Sequence, residues 1–280
     1  MITQLEAHAP AGLDLTVSLE ELCVLWRAAG VSRPAGAPTD ALEGLKDRAF
    51  AAVFQTALDG LAAKGLVDRR GDTEYQVADH VLAMVRRSGR NEGVLRLVWQ
   101  LGDGTETRHF YGDRDGCVEH AAHPTGRHCL RAVSTGLLPE RLLAYARIGD
   151  PIIAVVDAIE LDRGELIRLA AAAARDGVAA ARSALAHHGI DTAAAAMLAD
   201  TLTAPATAMQ VAVAFVASEG DAAAVGRRQL AVLDGGDAGC WLEDGGTDRA
   251  RLRQVDRAAL ARAIAELLAG TTFGPPARES

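Results

Sequence analysis

The stretch Val94-Leu-Arg-Leu-Val-Trp-Gln-Leu101, which is followed by Gly-Asp-Gly, decides the fold of this 280-residue chain. Its leucines and its tryptophan occupy every second position, which is the period of a β-strand with one buried face, and Gly-Asp-Gly predicts a hairpin turn. More short strands separated by turn residues follow, and a helix from about Pro139 to Ala146 closes the block. The sequence therefore predicts a four-stranded antiparallel meander with strands at about 94–101, 105–111, 117–122 and 128–133.

The residues before this meander predict a short strand and several helices. Leu15 and Val17 alternate with polar residues, as in a strand, and Ser18 with Glu21 forms an S-x-x-E capping box that begins a helix. The prolines and glycine at 31–39 predict a linker that cannot continue this helix. The predicted helices cover about 18–29, 40–64 and 76–87.

The second half of the chain repeats this order of elements. The two meanders begin at Val94 and Val211 and their closing helices at Leu138 and Val255, so both pairs are offset by 117 residues. A third match, Lys64-Gly65 with His188-Gly189, is offset by 124 residues. Similar offsets in one order predict two copies of a helix, helix, four-strand meander, helix unit. The predicted second-half elements are helices at 162–187 and 191–202, strands at 209–217, 228–233, 240–243 and 250–255, and a helix with Asp256 as its N-cap.

We therefore expect a mixed α+β fold in which the two meanders join or pack, with helices at either side. The expected organisation is a single domain over 1–280 with repeat halves at about 13–146 and 161–270. The tail at 271–280 is expected to be flexible. Two unrelated α+β domains are the alternative.

Composition and charge exclude several classes of protein. The net charge of −8 argues against a protein that binds nucleic-acid phosphates. No apolar run approaches the roughly 18–20 residues of a membrane span, and residues 1–15 lack the features of a signal peptide. The cysteines form no CxxC pair, so a reducing, cytoplasmic location is expected; they are Cys23, Cys117, Cys129 and Cys240.

The cluster Cys117-Val-Glu-His120-Ala-Ala-His123, with His128 and Cys129 after it, contains ligand types that bind zinc. In a strand, Cys117 and His120 point to opposite faces because side chains alternate with a period of 2. His123 and His128 could meet across a turn, but two histidines do not complete a tetrahedral site. We therefore expect no metal and no cofactor. A metal-binding protein is the alternative interpretation of this cluster. Nucleophile and phosphate-loop motifs do not occur, so an enzyme is not expected.

A second alternative is DNA binding. The segment from Leu58 to Asp72 has the pattern of a winged-helix repressor entering its wing. A DNA-reading helix needs a basic face, however, and residues 40–90 hold eight basic and eight acidic side chains. The region is therefore neutral, and no nucleic-acid partner is expected.

The order of the elements and their local amino-acid sequences resemble the EspG family of type VII (ESX) secretion-associated proteins from actinobacteria. The resemblance spans about Leu13 to Gly270 and rests on the order of the pieces rather than on a diagnostic motif. The similar stretches are Val17 to Leu22 with Leu25-Trp26, Leu61 to Val67, Leu230 to Asp234, the strand from Arg251, and Ala258 to Leu268.

This resemblance implies a quasi-two-fold fold with a central antiparallel sheet flanked by helical bundles. It also implies a cytoplasmic chaperone that binds a helical PE–PPE heterodimer, or another small helical ESX substrate, and keeps it soluble for export. Such a protein needs no catalytic residue, and when free it is expected to be a monomer or a weak homodimer.

The family's partner surfaces involve the central sheet, the second-half helices and the hairpin between the second and third meander strands. By position, this hairpin is Gly112 to Gly116, so the resemblance implies partner contacts at Asp113, Arg114 and Asp115. A plain solvated turn is the alternative for these residues.

Overall fold

The computed structural model describes residues 14–71, 74–101, 104–113, 116–146, 158–219, 222–244 and 248–274. Its first half begins with a short strand and a helical bundle and continues into a meander and a closing helix. The elements are β1 (Asp14–Ser18), α1 (Leu19–Ala29), α2 (Asp47–Ala63), β2 (Val67–Arg69), β3 (Tyr75–Val77), α3 (Asp79–Gly89), β4 (Gly93–Leu101), β5 (Gly104–Asp113), β6 (Gly116–Ala122), β7 (Arg127–Val133) and α4 (Leu138–Ala146).

The second half has the same plan, with an additional helix break. Its elements are β8 (Ile159–Asp162), α5 (Arg163–Asp176), α6 (Val178–His187), α7 (Thr192–Thr203), β9 (Thr207–Glu219), β10 (Ala222–Asp234), β11 (Cys240–Glu243), β12 (Arg249–Gln254) and α8 (Arg257–Leu268). No helix among the described residues is long and apolar enough to cross a membrane.

One sheet joins the two meanders. In the described part of the chain its strands follow the order β1-β7-β6-β5-β4-β9-β10-β11-β12-β8, and β2 and β3 form a separate hairpin. Read outward from the central pair, the order is the same in both directions. The antiparallel pairing of β4 with β9 sets Leu97 opposite Val211 and creates the junction between the halves. The predicted duplicated, mixed α+β fold is therefore confirmed.

The two faces of this sheet differ. On one, α4 and α8 cover the central strands, and Leu97 and Val211 are fully buried against Leu142 and Ile264. We call this the closed face. On the other face, the helices cover only the strands toward the two edges of the sheet. The α1–α3 bundle packs on residues such as Val118, Leu130 and Ala132, and the α5–α7 bundle on residues such as Trp241, Ala250 and Leu252.

Several predicted boundaries were wrong for identifiable reasons. The helix predicted at 40–64 begins only at Asp47, because the Asp40 carboxylate accepts the Leu42 N–H (2.8 Å) and holds a turn. The helix predicted at 162–187 breaks at Gly177, whose φ of +83° and ψ of 179° separate α5 from α6. The strand β3 occupies the predicted start of the helix at 76–87, so that α3 begins at Asp79.

Part of the segment expected to be a flexible tail lies against the core. Residues 271–274 are ordered, and the Phe273 side chain is fully buried in the core of the closed face. Its ring lies where side chains on Gly93 and Gly112 would stand, since a Cβ atom at these positions would lie only 3.0 and 2.6 Å, respectively, from the ring. Residues 275–280 lie outside the described residues.

Candidate functional site

In the described part of the chain, no helix covers the centre of the sheet between the two helical bundles. On β4, Leu95 and Leu97 are fully buried on the closed face, whereas Arg96 and Gln100 on the other side of the same strand are exposed. The strands β5, β9 and β10 continue this surface. We call it the open face; its members include Val94, Arg96, Val98, Gln100, Thr107, His109, Gln210, Ala212, Ala214, Arg227 and Gln229.

Small side chains line the middle of the open face. Ala212 and Ala214 follow each other on one side of β9 and are half-buried. Across the sheet, Ala212 is opposite Arg96 of β4, and Ala214 is opposite Arg227 of β10. The open face is therefore a shallow alanine trough with a long basic side chain at each side.

The predicted linker at 31–39 forms one edge of this trough. Gly36 adopts a φ of +78°, and a Cβ there would lie 2.4 Å from Nε2 of His109, so the chain crosses directly above β5. The Tyr111 hydroxyl donates a hydrogen bond to the Ala35 carbonyl (3.3 Å). Burial, and then the Arg96 charge, lower the pKa of His109, which keeps its imidazole neutral at pH 7.

A cavity of about 820 Å³ includes this trough in its lining, and residues of α8 and of the β11–β12 end also line it from the closed-face side of the sheet. Its lining includes four arginines, Arg96, Arg227, Arg228 and Arg253, but only two carboxylates, Asp244 and Glu266. Only Arg96 and Arg227 lie on the open face, because Arg228 and Arg253 are opposite closed-face residues in the sheet register. The open-face part of the lining is thus basic although the whole chain carries a net charge of −8. A concave surface of this kind suits a macromolecular or peptide partner that presents both apolar and acidic groups.

The hairpin predicted to contact a partner lies where expected, between β5 and β6, but only part of it is described. The Asp113 carboxylate accepts two hydrogen bonds from Nε of Arg87 on α3, at 2.9 and 3.0 Å. The Arg87 side chain is only 12% exposed, so this ion pair ties the hairpin to the first bundle. Arg114 and Asp115 lie outside the described residues.

The sheet register adds a neighbour to this hairpin. Gly93 pairs with Gly112 of β5 and with Phe215 of β9, so the β5–β6 turn and the far end of the β9–β10 hairpin lie at the same end of the sheet. The β9 strand continues past this point and stays paired with β10 as far as Glu219. The end of the open face is therefore bordered by two hairpins from different halves of the chain.

The cysteine–histidine cluster divides as its alternation predicts. Cys117 lies in the closed-face core, and His120 lies on the other side of the sheet, where its Nε2 is 3.0 Å from Nδ1 of His128. His123 instead contacts the Thr125 hydroxyl at 2.9 Å. Burial raises the pKa of the Cys117 thiol and lowers that of His120 to about 3. Among the described residues, no group of three or more potential ligands is placed to hold a metal ion.

Comparison with known proteins identifies the architecture. No family model matches the sequence, and no curated protein matches it. Among solved structures, the fold matches the Mycobacterium tuberculosis type VII secretion system chaperone EspG5, solved in complex with a PE25–PPE41 dimer, with a TM-score of 0.67. The alignment covers 94% of this chain and 98% of that chain at 14% sequence identity. This chain has the EspG fold.

The EspG resemblance inferred from the sequence is thereby confirmed for the fold and for nearly the whole described chain. The comparison supports neither the metal-binding nor the DNA-binding alternative. The open face was not predicted from the sequence. Its signal was the alternation of exposed Arg96 with buried Leu95 and Leu97, which marks a strand with one solvated side.

Proposed function

We propose that this chain is a cytoplasmic chaperone that binds helical type VII secretion substrates of the PE–PPE kind and keeps them soluble before export. The observation that carries the proposal is the uncovered open face, which lies between two helical bundles in a chain that matches the EspG5 fold over 94% of its length. The free protein is proposed to be a monomer or a weak homodimer.

The dimensions of the open face fit a helical client. The open face is four strands wide, in the sheet order β5-β4-β9-β10, so it spans three strand spacings, or about 14 Å. A helix with its side chains is about 10–12 Å across. The alanines of β9 allow close approach of such a helix. Each apolar Å² that the client buries contributes ~25 cal/mol, so burial of its exposed apolar tip is the main driving force.

This function requires binding and release rather than chemistry, so no catalytic residue and no cofactor takes part in it. The hairpin with Asp113, Arg114 and Asp115 is proposed as a polar rim at the end of the open face. Because Asp113 pairs with Arg87, charge reversal at Asp113 would also disturb the first bundle. Reversal of Arg114 and Asp115 together therefore tests the rim, and we expect weaker client binding with an unchanged unfolding midpoint.

The main test is co-expression of the chain with each PE–PPE-type gene pair of its source genome, followed by size-exclusion chromatography with light scattering. We expect one pair to form a complex containing one copy of each chain. The variant Ala212→Trp fills the trough and should abolish the complex. Ala144→Trp is the matched control, because Ala144 is exposed on α4 above the closed face.

The outcomes separate the parts of the proposal. A complex that survives Ala212→Trp would move the binding surface away from the open face. If no helical pair from the source genome binds, the chaperone function itself is refuted. We expect the complex to persist at moderate salt, since a phosphate-led interaction would instead weaken steeply between about 50 and 200 mM salt.

A further inference from the structure

Two of the cavity's arginines have no charge partner in the described part of the chain. Arg253 pairs with Asp244 (2.8 Å), and Arg228 donates hydrogen bonds to the carbonyls of Glu266 and Leu267 at the end of α8, both at 3.3 Å. Arg96 and Arg227 are exposed and form neither an ion pair nor a side-chain hydrogen bond with any described residue. Two cations are therefore available for a ligand.

The sheet register fixes how these two arginines are spaced. Arg96 is opposite Ala212 and Arg227 is opposite Ala214, so the two positions are two strands apart and displaced by two residues along the strands. With about 4.8 Å between strands and about 3.4 Å per residue, their Cα atoms are about 12 Å apart. Both side chains rise beside alanines, so neither is shielded by a bulky neighbour on β9.

We propose that the open face selects a client helix that carries two carboxylates seven residues apart, one bound by Arg96 and the other by Arg227. This inference rests on the proposed chaperone function and names a feature of its client. Carboxylates seven residues apart on one helix face are separated by about 10.5 Å, which matches the arginine spacing. A planar guanidinium binds a carboxylate through two parallel hydrogen bonds and so reads its position as well as its charge.

The surroundings favour an acidic client over a neutral one. The open-face part of the cavity lining contains Arg96 and Arg227 but no carboxylate, because Asp244 is paired with Arg253 and Glu266 lies on α8. His109, beside Arg96, adds no charge of its own at pH 7, because burial lowers its pKa. Complementary charges of this kind set the orientation and the choice of partner more than the total affinity.

The test uses two synthetic 21-residue amphipathic helical peptides that are identical except for Glu or Gln at two positions seven residues apart. Fluorescence anisotropy with the full chain measures their affinities at 50 and 300 mM salt. We expect the Glu peptide to bind about tenfold more tightly at low salt, with a smaller ratio at high salt. The double variant Arg96→Gln, Arg227→Gln should make the two affinities equal.

The charge-matched control is the double variant Arg48→Gln, Arg262→Gln. These arginines are exposed on α2 and α8 and do not line the cavity, so this variant should retain the tenfold preference. If the wild-type chain binds the Glu and Gln peptides equally and the Ala212→Trp variant binds neither, the carboxylate selection is refuted. The proposed chaperone function is not refuted by that result. The inference would also be overturned if the variant without Arg96 and Arg227 still preferred the Glu peptide. The same holds if a chain that binds its client pair binds neither peptide.

Discussion

The substitution Phe273→Ala tests whether the C-terminal segment is part of the folded protein. Phe273 is fully buried and belongs to the closed-face core. Its ring occupies the space above Gly93 and Gly112, the residues where β4 begins and β5 approaches its end. Removal of the ring leaves a cavity over two backbone positions that have no side chains with which to fill it.

The expected cost follows from the size of the lost group. A fully buried Phe→Ala change lowers the free energy of unfolding by about 3–5 kcal/mol. At roughly 2–4 °C per kcal/mol for a chain of this size class, the melting temperature should fall by about 6–20 °C. Differential scanning calorimetry, together with urea unfolding, measures both quantities.

Two control variants make this prediction specific. Phe273→Leu keeps most of the apolar volume and should cost only about 1–2 kcal/mol. Leu137→Ala removes a large apolar side chain that is 56% exposed, so the unfolding free energy should change by less than about 0.5 kcal/mol. A Phe273→Ala protein that melts within about 2 °C of the wild type would show that the segment does not dock and that the tail is flexible from 271, as its composition suggested.

Other substitutions test the packing and the buried polar groups. Gly112→Ala places a Cβ 2.6 Å from the Phe273 ring, so urea unfolding should show a loss of about 1–3 kcal/mol. The Glu119 carboxylate is 2% exposed and pairs with Arg108 and Arg141, which are both 26% exposed. Glu119→Gln removes its charge, so urea unfolding should show a free energy of unfolding that is lower by about 2 kcal/mol. Burial lowers the pKa of His120 from its ordinary 6.5 to about 3, so only the unfolded chain binds this proton between those values and stability falls as the pH drops below 6.5. His120→Asn should therefore reduce the slope of unfolding free energy against pH by about 1.4 kcal/mol per unit between pH 6 and 4.

Local signals in the sequence predicted most helix starts and meander strands. The Ser18 hydroxyl accepts the Glu21 N–H (3.2 Å), and the Glu21 carboxylate accepts the Ser18 N–H (2.7 Å), as the capping box requires. Asp256 likewise caps α8 through the Ala259 N–H. These features depend on residues a few positions apart, so the sequence contains all the information that is needed to infer them.

The features that sequence reasoning missed depend on contacts between distant residues. Gly177 costs a helix only about 1 kcal/mol relative to alanine, so its presence in an alanine-rich run did not reveal the break between α5 and α6. The docking of Phe273 requires that Gly93 and Gly112 be paired neighbours, which only the assembled sheet brings about. The same is true of the site, because Arg96 and Arg227 come together only through the pairing of β4 with β9 and of β9 with β10.

The central strand pair shows how a duplicated fold can present an asymmetric surface. The backbone order of the sheet is symmetric about the β4–β9 junction, but the side chains on its open face are not. The first half contributes Val94, Arg96 and Val98 from β4, whereas the second contributes Gln210, Ala212 and Ala214 from β9. The alanine trough therefore lies on the second-half side of the β4–β9 junction. A ligand bound there would meet different chemistry on its two flanks, so the site can fix the direction in which the ligand docks even though the scaffold is symmetric.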